Sequence, residues 1–317
     1  MTVAKSALCR AGAGIACTTA LAIGALSPAG TASAAEAHPV TMRNTLTAMQ
    51  GEAMANASYH FYAAQAGRQH LREAQALFAK TAETELHDHF TQEARLIHFV
   101  HDDADNLRQS IKGEIEEATH LYPRFAAEAR QDKDDNAARL FMEIAQDEKR
   151  HAKAFQMALH AITHHHGRIP TGYPAHPVTV VAGKPKVHSA RTLRNLDTAM
   201  RGEAFAHARY TLYAEHAQKH RPRLAVLFRR TAAVELTEHF AEQANLAGAV
   251  HDTADNLRRS IAGETYEATT MYPGFARAAR AEGDLKAARL FTEIAGDEAA
   301  HARAFRRALH HLDHSRL

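Results

Sequence analysis

The sequence predicts an all-α protein made of two tandem four-helix bundles, and three observations predict it. Ala, Leu, Glu, Arg and Gln dominate, and apolar residues recur at three-four spacing, the period of an amphipathic helix. The chain also repeats itself at an offset of about 150 residues: HDDADNLRQSI at 101–111 returns as HDTADNLRRSI at 251–261, and AARLFMEIAQDEKRHAKAF at 137–155 as AARLFTEIAGDEAAHARAF at 287–305. Finally, 317 residues with 45% hydrophobic content suffice for about two ordinary domains with buried cores.

The chain opens on a segment that reads as a targeting signal. Lys5 and Arg10 supply positive charge, residues 11–26 form an Ala-rich apolar run, and Ala32-Ser33-Ala34 is a small-x-small cleavage site. The run is short and broken by glycine, which argues against a retained membrane anchor. The expected organisation is a signal at 1–34, a first bundle at 41–163, a linker at 164–190 and a second bundle at 191–317, with export from the cytoplasm.

Four helices are expected per repeat. They run at 42–67, 70–100, 104–130 and 134–161, then at 193–218, 221–250, 254–280 and 284–312. Breaks fall at Arg221-Pro222, at Asp102-Asp103 and at Glu282-Gly283-Asp284. Tyr122-Pro123 and Tyr272-Pro273 should kink the third helix of each repeat, because proline lacks a backbone donor. Residues 164–189 are rich in Pro and Gly and read as a linker, with His164-His165-His166 as a solvated histidine run.

Charge and cysteine content exclude several classes. A formal net charge of +2 without a clustered basic face gives no footprint for nucleic acid. Both cysteines, Cys9 and Cys17, lie in the signal. The remaining chain has no thiolate nucleophile, no disulfide and no cysteine-ligated metal. Any metal must be held by Asp, Glu and His.

Those residues recur inside the expected bundles. First helices carry Glu52 and Glu203, and second helices Glu85 and Glu235. Third helices carry Glu114-x-x-Glu117 and Glu264-x-x-Glu267, and fourth helices Glu148-x-x-His151 and Glu298-x-x-His301. A three-residue step turns about 300° and rises about 4.5 Å, so both members of each pair face one way. These acids sit among apolar positions on four helices, in both repeats. Buried carboxylates need a cation or a proton, and several converging on one core are best explained by bound dications.

The strings GEAxAxAxY, GExxEAxxxYPxFAxxA and IAxDExxHAxAF resemble rubrerythrin, the ferritin-like di-iron family, and cover nearly all of both repeats. The resemblance implies a non-haem di-iron centre in each bundle that reduces hydrogen peroxide with electrons from a redox partner. It also implies that Tyr59, Tyr210, Tyr122 and Tyr272 donate to ligand carboxylates or bound oxygen species. A ferroxidase, or a protein that sequesters iron or manganese, is the competing class, with Fe(II) as substrate. The family's second helix carries Glu-x-x-His, whereas the same step here lands on Asp88 and Glu238. His89 and His239 follow one residue later and reach the same side. The carboxylates are preferred as ligands, and an oxygen-richer shell would also suit manganese. The family's four-cysteine rubredoxin module is missing from this sequence, so the electron donor must be a separate molecule.

In a ferritin-like bundle the second and third helices run parallel. Levelling Glu85 with Glu114 then needs a connection of about 37 Å, while four extended residues reach about 14 Å. Exchange of halves removes the conflict. The first two helices of one repeat should pack with the last two of the other, giving an intrachain pseudo-dimer.

Overall fold

The computed structural model describes residues 37–314, so the expected signal lies outside the described residues. Eight helices are present among them. Helix α1 is Pro39–Arg68. Helix α2, 72–96, contains a widened π turn at Glu85–Phe90. Helix α3, 103–131, has another at Glu117–Leu121, and α4 is Asp135–Thr163. The second repeat follows the same plan. Helix α5 is Ala190–Gln218, α6 spans 222–247 with a π turn at Glu235–Phe240, α7 spans 253–281 with one at Glu267–Met271, and α8 is Leu285–His314.

Local chemistry sets the ends. Asp102 and Asp252 cap α3 and α7 by accepting from the amides of Asp105 and Asp255. Asn106 and Asn256 clamp the preceding turn from both sides, accepting from the amide of His101 or His251 and donating to its carbonyl. The expected kink at Tyr-Pro takes the form of a π turn. The helix widens just before Tyr122 and Tyr272 and resumes with proline in its first turn, where no amide donor is required.

Helix α2 ends at Leu96, earlier than expected, and residues 97–102 join it to α3. Six extended residues reach about 20 Å. Levelling Glu85 with Glu114 in one closed bundle would still need about 33 Å at 1.5 Å per residue. The exchange expected from this connection is what the structure has. Tyr59, Phe78 and Ala66 of α1 and α2 pack with Leu257, Phe305 and Leu312 of α7 and α8. Tyr210, Phe228 and Ala217 of α5 and α6 pack with Leu107, Phe155 and Ala158 of α3 and α4. The two mixed bundles meet through Met49, Ala53 and Phe61 of α1 against Met200 and Ala204 of α5 and Phe240 of α6. The Phe61 and Phe240 rings stack at 5.5 Å.

The linker is more than a solvated tether. Val180 and Val187 are buried. The amides of Val178, Gly183 and Lys186 donate to the carbonyls of Thr237, Val250 and Leu246. Gly248 ends α6 in the left-handed region, and a Cβ there would come within 2.5 Å of the Lys184–Pro185 backbone, so only glycine lets the linker pass.

Candidate metal centres

Each mixed bundle gathers one cluster of carboxylates and imidazoles. In the first centre, α1 and α2 supply Glu52, Glu85 and His89, and α7 and α8 supply Glu264, Glu298 and His301. His89 Nδ1 lies 2.8 Å from Glu85, 3.0 Å from Glu298 and 3.6 Å from Glu52. His301 Nδ1 lies 3.0 Å from Glu298, 3.2 Å from Glu85 and 3.3 Å from Glu264. Glu85 and Glu298 therefore each turn one oxygen to either imidazole. The result is two adjoining groups of four ligands that share two glutamates.

The second centre repeats this with halves exchanged. His239 Nδ1 lies 2.9 Å from Glu235, 3.1 Å from Glu148 and 3.6 Å from Glu203. His151 Nδ1 lies 3.0 Å from Glu148, 3.2 Å from Glu235 and 3.4 Å from Glu114. Here Glu148 and Glu235 are shared.

Asp88 and Glu238 do not join these groups, which corrects the ligand expected from the sequence. Asp88 is exposed and accepts from Gln92. Glu238 accepts from the linker amide of His176 at 2.7 Å. The π turns at Glu85–Phe90 and Glu235–Phe240 are the cause. They add a residue to the turn, so a step of four, and not of three, returns to the inner face. His89 and His239 take that place, essentially fully buried. Glu117 and Glu267 also stand just outside the four-ligand groups. They are half-buried against Gly202 and Gly51, across the exchange.

The four tyrosines sit where the resemblance implied. Tyr59 donates to Glu264, Tyr272 to Glu52, Tyr210 to Glu114 and Tyr122 to Glu203. Burial and the neighbouring carboxylates hold all four phenols well above their usual range, so they remain proton donors. Each takes one oxygen of its glutamate and leaves the other turned toward an imidazole of the cluster.

The donor set fits a pair of dications. Both oxygens of Glu85 and Glu235, both nitrogens of His89 and His239, and one oxygen each of Glu114, Glu148, Glu264 and Glu298 are buried without a hydrogen-bond partner. Such groups are costly unless a cation sits between them. The electrostatics carry the same strain. Burial, then Glu298, pushes Glu52 well above the usual carboxylate range. Burial pushes Glu203 and Glu264 up to about 8 and Glu114 up to about 7. Burial alone would lower His301, but Glu264, Glu298 and Glu85 outweigh it and push the imidazole up to about 12.

Four neighbours lie outside the three-residue spacing by which the ligands were read. Glu93 is fully buried and accepts from Tyr272 at 2.9 Å, and burial raises it well above the usual range. Its counterpart Gln243 donates to Tyr122 at 3.1 Å and to Glu203 at 3.2 Å. A four-residue ladder, 85, 89 and 93, would have revealed both. Arg209 donates to the Tyr210 hydroxyl at 2.9 Å and lies over that ring. Tyr173, from the linker, stacks on His151 and bonds its Nε2 at 2.7 Å.

Comparison with known proteins agrees with this architecture. The Rubrerythrin family model matches residues 44–159, 194–239 and 234–309. Nigerythrin of Nitratidesulfovibrio vulgaris is 34% identical over 160 residues, 46% of this chain and 79% of that protein. Rubrerythrin of Porphyromonas gingivalis is 36% identical over 141 residues, 40% of this chain and 70% of that protein. Rubrerythrin of N. vulgaris is 39% identical over 130 residues, 37% of this chain and 68% of that protein. No solved structure matches the chain.

Proposed function

The chain belongs to the rubrerythrin family, whose bundles hold di-iron centres, and from that premise we propose that it reduces hydrogen peroxide to water with electrons from a separate donor protein, outside the cytoplasm. The observation that carries this reading is the pair of four-ligand groups sharing two glutamates in each mixed bundle. Glu85 and Glu298, common to both four-ligand groups, would hold the ions of the first centre together with Glu52, His89, Glu264 and His301, and Glu148 and Glu235 would do so in the second with Glu203, His239, Glu114 and His151. When bound, the iron pair supplies the two electrons that split the peroxide O–O bond.

The protein's own groups do the rest. Four buried phenols hold Glu52, Glu114, Glu203 and Glu264 by donated hydrogen bonds, which fixes their orientation and tunes their basicity. Peroxide reduction also consumes two protons. Glu93, bonded to the Tyr272 phenol at 2.9 Å, is a proton store at the edge of the first centre. Manganese would fit the same oxygen-rich donors as an alternative. The lack of cysteine beyond Cys17 supports a separate electron donor. No helix among the described residues is long and apolar enough to cross a membrane. The Lys5-to-Ala34 pattern supports export.

Metal analysis with peroxide turnover tests this directly. The expected result is two iron ions per centre and rapid peroxide consumption with a supplied reductant. Oxygen-driven Fe(II) oxidation with little peroxide turnover would replace the reading by ferroxidase or storage. Absence of bound metal would defeat both. Export is checked by fractionating the producing cells and reading the N-terminus, expected at Ala35.

A further inference from the structure

We propose that Asp103, His216 and His220 form a third cation site, for one divalent transition-metal ion of the zinc class, at the outer end of the second mixed bundle. His216 lies in the last turn of α5 and His220 in the turn that follows it, so the two rings meet at the end of the helix. Their rings sit edge to face with centroids 5.2 Å apart. Beneath them is Asp103, the first residue of α3, with a side chain only 1% exposed. His220 Nε2 is 3.2 Å from Asp103 Oδ2, and His216 Nε2 is 3.8 Å from Oδ1. One donor atom from each residue falls within 4.8 Å of the others.

The carboxylate itself points to a ligand. Arg221 donates to Oδ2 at 2.6 Å and fixes the plane of the group. Oδ1 is buried and has no hydrogen-bond partner. It is an unsatisfied acceptor turned toward the exposed imidazole of His216. Two imidazole nitrogens and one carboxylate oxygen match zinc, which takes such donors tetrahedrally and leaves one position to water. Zinc bonds of about 2.0–2.1 Å place tetrahedral donors roughly 3.3 Å apart. The two measured separations bracket that value, and the exposed imidazoles can turn to close the difference. Arg221 acts as the outer partner that orients a ligand carboxylate. It also neutralises Asp103 when no metal is bound, so the empty site does not unfold the turn.

The other mixed bundle supplies the contrast. At the same junction, Gln69 accepts from the amide of Thr253 at 2.9 Å and from its hydroxyl. There an ordinary hydrogen bond joins α1 of the first repeat to α7 of the second. In the proposed site a metal would join α5 of the second repeat to α3 of the first. The bound ion would staple the exchanged halves at one end of the molecule only.

The test uses the full chain with its di-iron centres filled and oxidised, titrated with Zn²⁺ by calorimetry at pH 7.5. The wild type should take one more equivalent of Zn²⁺ than His216→Gln/His220→Gln, and Zn²⁺ should raise the melting temperature of the wild type alone. The loose histidine run at 164–166 is common to both proteins and cancels. Asp103→Asn, with its fold checked by its iron absorbance, should lose the same equivalent. Equal Zn²⁺ uptake by the wild type and the double variant would overturn the proposal. So would full retention in Asp103→Asn, which would leave only a charged cluster of Asp103, Arg221 and two imidazoles.

Discussion

The two centres share a ligand plan but differ in charge and in access. The first has Glu93 where the second has Gln243. The second has Arg209 beside its phenol where the first has Ser58. The first surroundings therefore lack one fixed positive charge, and they carry a further negative one only where Glu93 gives up its proton. His301 of the first centre is 17% exposed, whereas His151 of the second is 3% exposed beneath Tyr173. The linker follows only the first repeat, so its aromatic lid reaches only the second centre. Duplication thus kept the ligands and freed their surroundings to diverge. The first centre is the open one and has no arginine beside its phenol, which suits it to higher metal oxidation states and to solvent-borne substrate. The second is sealed.

The largest effect breaks the pairing of repeats. Glu85→Gln should remove metal from the first centre and leave about half the iron of the wild type, since an uncompensated change at a shared ligand is severe. Glu85→Gln/Glu298→Gln should also keep half, because both residues serve one centre despite lying in different repeats. Glu85→Gln/Glu148→Gln should keep none. Bundles closed within each repeat would give the opposite pattern for the two double variants, so iron content per chain decides the matter.

Next comes pH. Glu203 and Glu264 are raised to about 8 and Glu114 to about 7 by burial. His301 is raised to about 12 by its carboxylates against the pull of burial. Groups with raised folded-state values stabilise the fold fully below their unfolded values, and that stability is lost as pH rises through the folded ones. The metal-free protein should therefore melt progressively lower from about pH 5 to pH 8, by several degrees in all. Filling the centres should remove this trend. A metal-free protein whose melting temperature rises over that window would show that the clustered acids are ionised at little cost.

Much of this was legible from residues alone. Glu52, Glu85, Glu114, Glu148 and their partners stand out because both repeats keep them at helical spacing among apolar neighbours. The exchange was legible because a short connection cannot span a bundle, whether it is the four residues read from the sequence or the six found in the structure. The ligand on the second helix was not. A π turn leaves no mark on a 3.6-residue pattern, and one added residue moves the inner face from Asp88 to His89. Tyr173 was invisible for another reason. It lies in a Pro- and Gly-rich stretch whose path is set by tertiary bonds from α6, such as Arg230 to the Gly172 carbonyl at 3.1 Å.

Access gives a smaller effect. A chelator should withdraw iron in two phases, the faster from the first centre. Tyr173→Ala should uncover His151 and merge the phases. Tyr173→Phe keeps the stacked ring but loses the bond to Nε2, and should weaken the second centre about tenfold, the lower range for an outer-shell partner of a ligand histidine. A slow phase unchanged in both variants would mean that the lid contributes nothing to access.

The smallest effect tests charge alone. Glu93→Gln gives the first centre the neutral amide of the second, and Gln243→Glu does the reverse. Neither residue belongs to a four-ligand group, so iron content should not change. The reduction potential should, because net charge near a metal sets how well the oxidised state is stabilised. Glu93→Gln should raise the potential of the first centre toward that of the second, and Gln243→Glu should lower the second toward the first. Spectroelectrochemistry on the two variants and the wild type reads this directly. The combined exchange should bring the two waves together without inverting their order, since Arg209 then offsets the new glutamate of the second centre. Full inversion would assign the whole difference to the single step from glutamate to glutamine, and unchanged potentials would remove charge from the comparison and leave access as the sole distinction between the centres.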